Sequence, residues 1–222
     1  MSSHTPSNFN PSAALPWAFD PARAVLLVID MQNDFVLEGA PMEVPEARRR
    51  IPRMQELIEA CRVQQIPVLY TKHELYDQYD VSPLETAYNP LLKQVGMRAG
   101  TPGVGIVEEL APLPNEPVIT KHRYDAFYNT NLETIIRTIR GTGMADTVII
   151  TGTVTNVCCE STARSAFMRD FKVVFVSDAT GALNEAAHQA TLDTIGSVFG
   201  RVMSTGEVLS GIHNKSEEEV PV

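Results

Sequence analysis

The chain has 222 residues, of which 44% are hydrophobic and 20% are charged, as is typical of a globular domain rather than a disordered one. The formal net charge of −9 argues against nucleic acid as the main partner, because phosphate binding requires a basic surface. The sequence contains no apolar run that reaches the ~18 residues of a membrane span, and its polar start resembles no signal peptide.

Continuous apolar runs alternate with amphipathic segments along the chain. The apolar runs predict strands at 24–30, 66–71, 117–120, 147–151, 172–177 and 200–204. The segments between them predict helices at 45–63, 103–110, 131–140, 158–169, 185–197 and 206–212. This alternation predicts a three-layer α/β/α fold around a central, mostly parallel six-stranded sheet.

One domain, residues 17–213, is expected between two tails, 1–16 and 214–222. Residues 74–105, rich in tyrosine, proline and glycine, are predicted to form a long functional loop. The apolar residues of this loop predict a homo-oligomer, in which a neighbouring subunit helps to close the pocket. The alternative is a lid that folds back over its own sheet. An odd number of cysteines, two of them adjacent, predicts no disulfide framework and a reducing, cytoplasmic setting.

Cys158 stands where a cysteine nucleophile can be built. It follows the predicted fourth strand and falls in the first turn of a predicted helix, whose partial positive charge favours the thiolate. A lone cysteine beside a core strand is more commonly a small buried hydrophobe. However, Asp30 and Lys121 end two other predicted strands, and the carboxyl ends of parallel strands gather at the active site. An acid, an amine and a thiol are therefore predicted to meet there.

Three motifs carry a resemblance to a known family. They are Asp30-Met31-Gln32-Asn33-Asp34-Phe35, Lys121 followed by Ala126-Phe127, and Thr151-Gly152-x-x-Thr155-Asn156-Val157-Cys158. In kind and order they resemble the isochorismatase-like cysteine hydrolases, over roughly residues 20–212. The resemblance implies an Asp–Lys–Cys triad of Asp30, Lys121 and Cys158. It also implies a cis peptide between Thr153 and Val154, with the backbone N–H groups of Val154 and Cys158 forming an oxyanion hole.

The implied reaction is hydrolysis of a C–N bond in a small amide, ureido or N-carbamoyl compound. Cys158 would attack the carbonyl carbon to form a thioester, Asp30 would move protons, and Lys121 would hold Asp30 and stabilise the thiolate. The closer similarity is to ureidoacrylate and N-carbamoyl amidohydrolases. Two alternatives stay open: a vinyl-ether hydrolase of isochorismatase type, although those enzymes carry glycine where Cys158 stands, and a non-catalytic binding module on the same fold.

Substrate contacts and cofactors are predicted with less detail. An arginine could clamp a substrate carboxylate, and aromatic side chains could wall the pocket. The candidate substrate-binding residues are Phe35, Tyr79, Arg98, Arg123, Tyr124 and Phe127. The Asp-x-His run that binds metal in nicotinamidases is missing after the second strand, so no metal and no other cofactor is expected. His73 is predicted to be a loop residue, and Cys159 is predicted to be an inert residue of the helix.

Overall fold

The computed structural model of the chain describes residues 15–141 and 143–218. The strands are β1 (Ala24–Ile29), β2 (Val68–His73), β3 (Val118–Lys121), β4 (Thr147–Thr153), β5 (Lys172–Gly181) and β6 (Arg201–Met203). The helices are α1 (Asn33–Val36), α2 (Pro45–Val63), α3 (Pro83–Tyr88), α4 (Leu132–Ile139), α5 (Glu160–Phe167), α6 (Glu185–Thr194) and α7 (Thr205–Glu218). Of the predicted tails, 1–14 and 219–222 lie outside the described residues, while α7 runs beyond its predicted end.

The six strands form one sheet in the order β3-β2-β1-β4-β5-β6, and every neighbouring pair is parallel. The predicted six-stranded α/β fold is therefore confirmed. The chain begins the sheet at β1, builds outward through β2 to β3, and then returns to the other side of β1 with β4. Such a reversal opens a crevice at the carboxyl ends of the two central strands, which is where open α/β sheets bind their ligands.

Helices cover both faces of the sheet, as the side chains of β1 illustrate. Leu26 and Val28 belong to a core on the face of α2 and α7, whereas Val25 and Leu27 belong to a core with residues of α4 and α5. Because successive strand residues point to opposite faces, a fully apolar strand feeds both cores. Within the described part of the chain, no helix is long and apolar enough to span a membrane.

The structure corrects the sequence-based prediction in the region between β2 and β3. The helix predicted at 103–110 does not form; instead there are two short 3-10 turns, Pro102–Val104 and Glu108–Leu110. Two glycines and a proline in this stretch disfavour a helix. A Cβ on Gly103 would lie 2.1 Å from an Asp34 carboxylate oxygen, so this segment needs glycine to approach α1. The predicted long loop also contains helix α3.

Candidate active site

Three chemically reactive side chains meet at the carboxyl edge of the sheet. Asp30 directly follows β1, Lys121 ends β3, and Cys158 lies shortly after β4. The Lys121 Nζ atom lies 2.6 Å from an Asp30 carboxylate oxygen and 3.6 Å from the Cys158 Sγ atom. Asp30 and Lys121 are fully buried and Cys158 is 3% exposed, so bulk water screens these groups little. The structure thus brings together the acid, the amine and the thiol that the strand ends predict.

Strand β2 fixes the orientation of the Asp30 carboxylate. The Thr71 hydroxyl donates a hydrogen bond of 2.6 Å to Asp30 Oδ1 and accepts one of 3.1 Å from the Asp30 backbone N–H. Asp30 has a left-handed φ of 50°, which aspartate tolerates better than most residues do. With Oδ1 bound by Thr71, the second oxygen, Oδ2, contacts Lys121. The carboxylate is therefore held from both sides rather than free to rotate.

Cys158 lies in a π-helical turn, Thr155–Cys159, that leads into α5. The chain enters this turn through the Thr153–Val154 peptide, which is cis, as the resemblance implies. Gly152 precedes it with a φ of 113°, and a Cβ there would lie 2.1 Å from the carbonyl oxygen of Ile29. Only glycine permits this close approach of β4 to β1, and the approach sets the thiol beside Asp30.

The buried surroundings of Cys158 favour its protonated form in the free site. Burial raises the pKa of Cys158 to about 12; the positive charge of Lys121 lowers it in part, and the Asp30 carboxylate raises it again. A backbone hydrogen bond from Val154 lowers this pKa to a smaller extent. Burial therefore opposes the stabilisation of the thiolate that is expected from a helix N-terminus, and the charge state of Cys158 stays a prediction. A nucleophilic reaction of the sulfur would require loss of this proton, and the Asp30 carboxylate is the neighbouring group that could accept it.

The other two ionisable groups of this cluster behave differently. Burial disfavours the charged form of Lys121, but attraction from Asp30 and Cys158 outweighs it, and the pKa of Lys121 is raised. Lys121 is therefore an ammonium group. Burial also raises the pKa of Cys159 well above its usual value, and its Sγ atom lies 4.0 Å from the Thr151 carbonyl oxygen. The inert role of Cys159 stays a prediction, because burial raises the pKa of both cysteines.

Sequence reasoning missed the position of His73. This residue is not in a loop: it ends β2, is 1% exposed, and has a ring nitrogen within 4.8 Å of both the Cys158 sulfur and an Asp30 oxygen. Burial and the nearby Lys121 charge hold the pKa of His73 well below its ordinary value, so the ring is neutral. A usable signal was present, because Thr71 and His73 are two residues apart and share one face of an extended strand.

A metal ion would fit this cluster poorly. Asp30, His73 and Cys158 offer ligand atoms close enough for one ion. However, such a cation would have to share the Asp30 carboxylate with the Lys121 ammonium group 2.6 Å away. The Cys158 thiol would also have to lose its proton before it could act as a ligand. Metal-free activity stays a prediction.

The short motif after β1 anchors the segment between β2 and β3 against the site. The Gln32 side chain donates hydrogen bonds to the carbonyl oxygens of His73 (2.9 Å) and Val104 (3.2 Å) and accepts one of 2.7 Å from the His73 N–H. The Asp34 carboxylate accepts a hydrogen bond of 2.5 Å from the Met97 backbone N–H. These residues were part of the recognised motif, but this anchoring role depends on long-range contacts that no local pattern reveals.

Two of the predicted substrate-binding residues lie beside the reactive cluster. Tyr124 is 39% exposed and packs edge-to-face against His73, with ring centroids 6.1 Å apart. Burial raises the pKa of Tyr124, as do the nearby Glu85 and Cys158. The Arg123 carbonyl oxygen accepts a hydrogen bond of 3.0 Å from Lys121 Nζ, while its guanidinium donates one of 2.9 Å to the Asp80 carbonyl oxygen. Substrate contact by either residue remains a prediction.

The other four candidates have different surroundings. The Arg98 guanidinium forms an ion pair of 2.6 Å with Asp77 and donates to the Gly96 and Leu92 carbonyl oxygens, so little of it is free to clamp a carboxylate. Phe127 is buried in the core of the α4 and α5 face, where it stacks on Phe171, and Phe35 is buried in the core of the opposite face. Tyr79 is 71% exposed and stacks on Tyr76.

Comparison with known proteins agrees with this geometry. Residues 24–207 match the family model of the isochorismatase domain. The chain is 32% identical to enterobactin synthase component B of Escherichia coli strain K12, over 90% of this chain and 67% of that protein. It is 32% identical to the ureidoacrylate amidohydrolase RutB of Methylobacterium radiotolerans, over 86% of this chain and 80% of that protein. A crystal structure of a cysteine hydrolase from Pseudomonas syringae superposes with a TM-score of 0.82 at 32% identity, covering 89% of this chain and 96% of that one.

Proposed function

The chain belongs to the isochorismatase domain family, whose members are hydrolases, and from that premise we propose that it is a cysteine-dependent amidohydrolase. The substrate class is a small amide, ureido or N-carbamoyl compound. One observation carries the proposal: a fully buried Asp30–Lys121 ion pair of 2.6 Å lies against the thiol of Cys158. Burying an ion pair costs desolvation free energy, so such a pair is a poor source of stability alone. Its contact with a thiol therefore favours a chemical role.

The first half of the reaction forms a thioester. The Cys158 sulfur attacks the carbonyl carbon while its proton passes to the Asp30 carboxylate, so no free thiolate is needed beforehand. The charge that develops on the carbonyl oxygen is stabilised by backbone N–H groups, for which Val154 and Cys158 are the candidates. The C–N bond then breaks, and Asp30 returns the proton to the leaving nitrogen. Lys121 stays protonated and offsets the negative charge at each stage.

The second half of the reaction hydrolyses the thioester. A water molecule gives a proton to Asp30 and attacks the acyl carbon, and the C–S bond breaks. The sulfur recovers the proton from Asp30, which restores the starting thiol. Overall, one amide bond and one water are converted into an acid, or a carbamate for a ureido substrate, and ammonia or an amine. The same carboxylate acts as base and acid in turn, which agrees with its fixed position between Thr71 and Lys121.

Ammonia release from a panel of small amides, ureides and N-carbamoyl amino acids tests this proposal. The expected result is turnover of at least one compound, with none by the Cys158→Ala variant at equal protein concentration. Isochorismate should be included in the panel, because the relatives include a protein of enterobactin synthesis. Pyruvate release from isochorismate, undiminished in Cys158→Ala, would favour ether hydrolysis instead. Wild-type function after this substitution, without turnover of any compound, would favour a binding module.

A further inference from the structure

His73 carries hydrogen-bonding capacity that the protein itself does not use. Among the described residues, neither ring nitrogen has a hydrogen-bond partner of ordinary geometry, although the side chain is 1% exposed. The His122 backbone lies close enough to one ring nitrogen to raise the pKa of His73, and this weak contact leaves the other nitrogen without any partner. Buried polar groups are nearly always paired in folded proteins, so an unpaired ring nitrogen in this crevice indicates a missing ligand.

The ring is nevertheless firmly positioned. Gln32 holds both the N–H and the carbonyl oxygen of His73, at 2.7 and 2.9 Å, and Tyr124 packs edge-to-face against the imidazole. Backbone and ring are thus fixed while one ring nitrogen remains available. This arrangement resembles a preorganised binding group more than a space-filling core residue.

The charge state of His73 limits what it can bind. Burial and the neighbouring Lys121 keep the imidazole neutral, so one ring nitrogen is a donor and the other an acceptor. A neutral imidazole that accepts a hydrogen bond suits an N–H group of a ligand. The Lys121 ammonium group, bound to Asp30 at 2.6 Å, disfavours a metal ion as the missing partner.

The distance to the thiol indicates which ligand atom could reach the ring. A carbonyl carbon in position for attack lies about 3–3.5 Å from the sulfur, and its substituent atoms lie about one bond farther. A ring nitrogen of His73 lies within 4.8 Å of the Cys158 sulfur, so such a substituent can come within hydrogen-bond distance of it.

The strand order indicates which substituent this is. His73 ends β2 and Val154 follows β4, and these strands flank β1 on opposite sides. An oxyanion bound on the Val154 side therefore leaves the far side of the carbonyl group for His73. Because Asp30 serves the leaving nitrogen, the remaining contact is with the group on the acyl side of the carbonyl carbon.

We propose that His73 is a substrate-binding residue that accepts a hydrogen bond from an N–H group on the acyl side of the scissile carbonyl, and so selects ureido compounds over plain amides. This inference rests on the proposed amidohydrolase function. In a ureide, R–NH–CO–NH2, the acyl-side atom is such an N–H group; in the matched amide, R–CH2–CO–NH2, it is a methylene that leaves the imidazole unpaired.

The test compares kcat/KM for a matched ureide and amide that share the R group of the best substrate in the ammonia-release panel. The wild-type enzyme should prefer the ureide. In His73→Phe, the ratio of the two kcat/KM values should fall about tenfold or more, and His73→Asn, which keeps a hydrogen-bonding side chain, should recover part of it. Both compounds are measured on one preparation, so a loss of folded enzyme cancels from the ratio.

His122→Phe is the matched control. His122 is half-buried, but its Nδ1 atom already contacts the Glu74 carbonyl oxygen at 2.8 Å, so this variant should keep the wild-type ratio within about twofold. A wild-type ratio in His73→Phe overturns the inference and leaves the proposed function intact. Activity lost on dialysis against EDTA and restored by Zn2+ also overturns it, because His73 would then be a metal ligand. If the wild-type enzyme releases ammonia from neither compound nor from any other in the panel, both proposals fail.

Discussion

The carboxyl edge of the sheet and the segment 76–95 differ in the burial of their most prominent side chains. At the sheet edge, Asp30 and Lys121 are fully buried and bound at 2.6 Å. In the segment, Tyr79 and Tyr88 are 71% and 87% exposed. Reaction chemistry requires groups held at fixed distances in a dry setting, whereas contact with other molecules requires accessible surface. We therefore expect substitutions at the sheet edge to reduce turnover strongly, and substitutions in the segment to weaken self-association moderately.

The largest contrast is expected within two adjacent residues at the sheet edge. Cys158→Ala should reduce turnover by about 10⁵-fold or more, because it removes the proposed nucleophile, without which Asp30 and Lys121 cannot act. Cys159→Ala should keep turnover within about tenfold and lose about 1 kcal/mol of stability through the small cavity. Ammonia release and thermal unfolding measure the two effects. Comparable losses of turnover in both variants would contradict the assignment of Cys158.

The Asp30–Lys121 pair gives the next largest effect. Lys121→Met should leave the buried carboxylate of Asp30 without its cation, costing about 3–5 kcal/mol of stability and about 10⁴-fold in turnover. The double variant Lys121→Met, Asp30→Asn should regain much of the stability but none of the turnover. Urea unfolding followed by circular dichroism provides the free energies. If Lys121→Met were as stable as the wild type, the Asp30 side chain would not depend on the Lys121 cation.

The pH dependence of thiol alkylation tests the protonation state of the free site. Burial raises the pKa of Cys158 to about 12, so the thiolate fraction at pH 7 is about a thousandfold below that of a cysteine of pKa 9. Because a raised pKa means that the folded state retains the proton, alkylation should be slow at pH 7 and accelerate about tenfold per pH unit up to pH 9.5. Iodoacetamide labelling with peptide mapping measures this rate. Fast labelling that is flat from pH 6 to 9 would indicate a stable thiolate.

The smallest effect is expected in the segment 76–95, where assembly into a homodimer or homotetramer remains a prediction. Tyr79→Asp should weaken self-association about tenfold, because exposed aromatic side chains are characteristic of interface centres. Turnover at saturating substrate should change far less than in the variants of the sheet edge. Light scattering at micromolar concentration measures the mass. A wild-type mass near the 24.4 kDa of one chain would refute assembly.

The three residues of the reactive cluster could be found in the sequence because their positions follow from topology. Asp30, Lys121 and Cys158 each follow or end an apolar run, and parallel strands bring their carboxyl ends to one edge. No distance information is needed for that conclusion. The two-sided burial of the strands was predictable for the same reason, since β1 is apolar at every position.

The surroundings of His73 and the burial of the Cys158 thiol depend on contacts that the strand ends alone do not reveal. β2 runs two residues beyond its predicted end, so His73 enters the site instead of the loop. Its surroundings come from Gln32 and Tyr124, which are distant in sequence. Likewise, helix position indicates the dipole at Cys158 but not its burial, and burial dominates the pKa.

The hydrogen bonds of Gln32 have a consequence for transplanting specificity between relatives. This side chain joins the end of β2 to Val104, while Asp34 holds Met97, so the segment between β2 and β3 is not an independent module. A donor segment grafted onto this scaffold must fit Gln32, Asn33 and Asp34 as well as its own ends. Successful chimeras should therefore exchange the motif after β1 together with the segment, and grafts of the segment alone should fold with a misaligned His73.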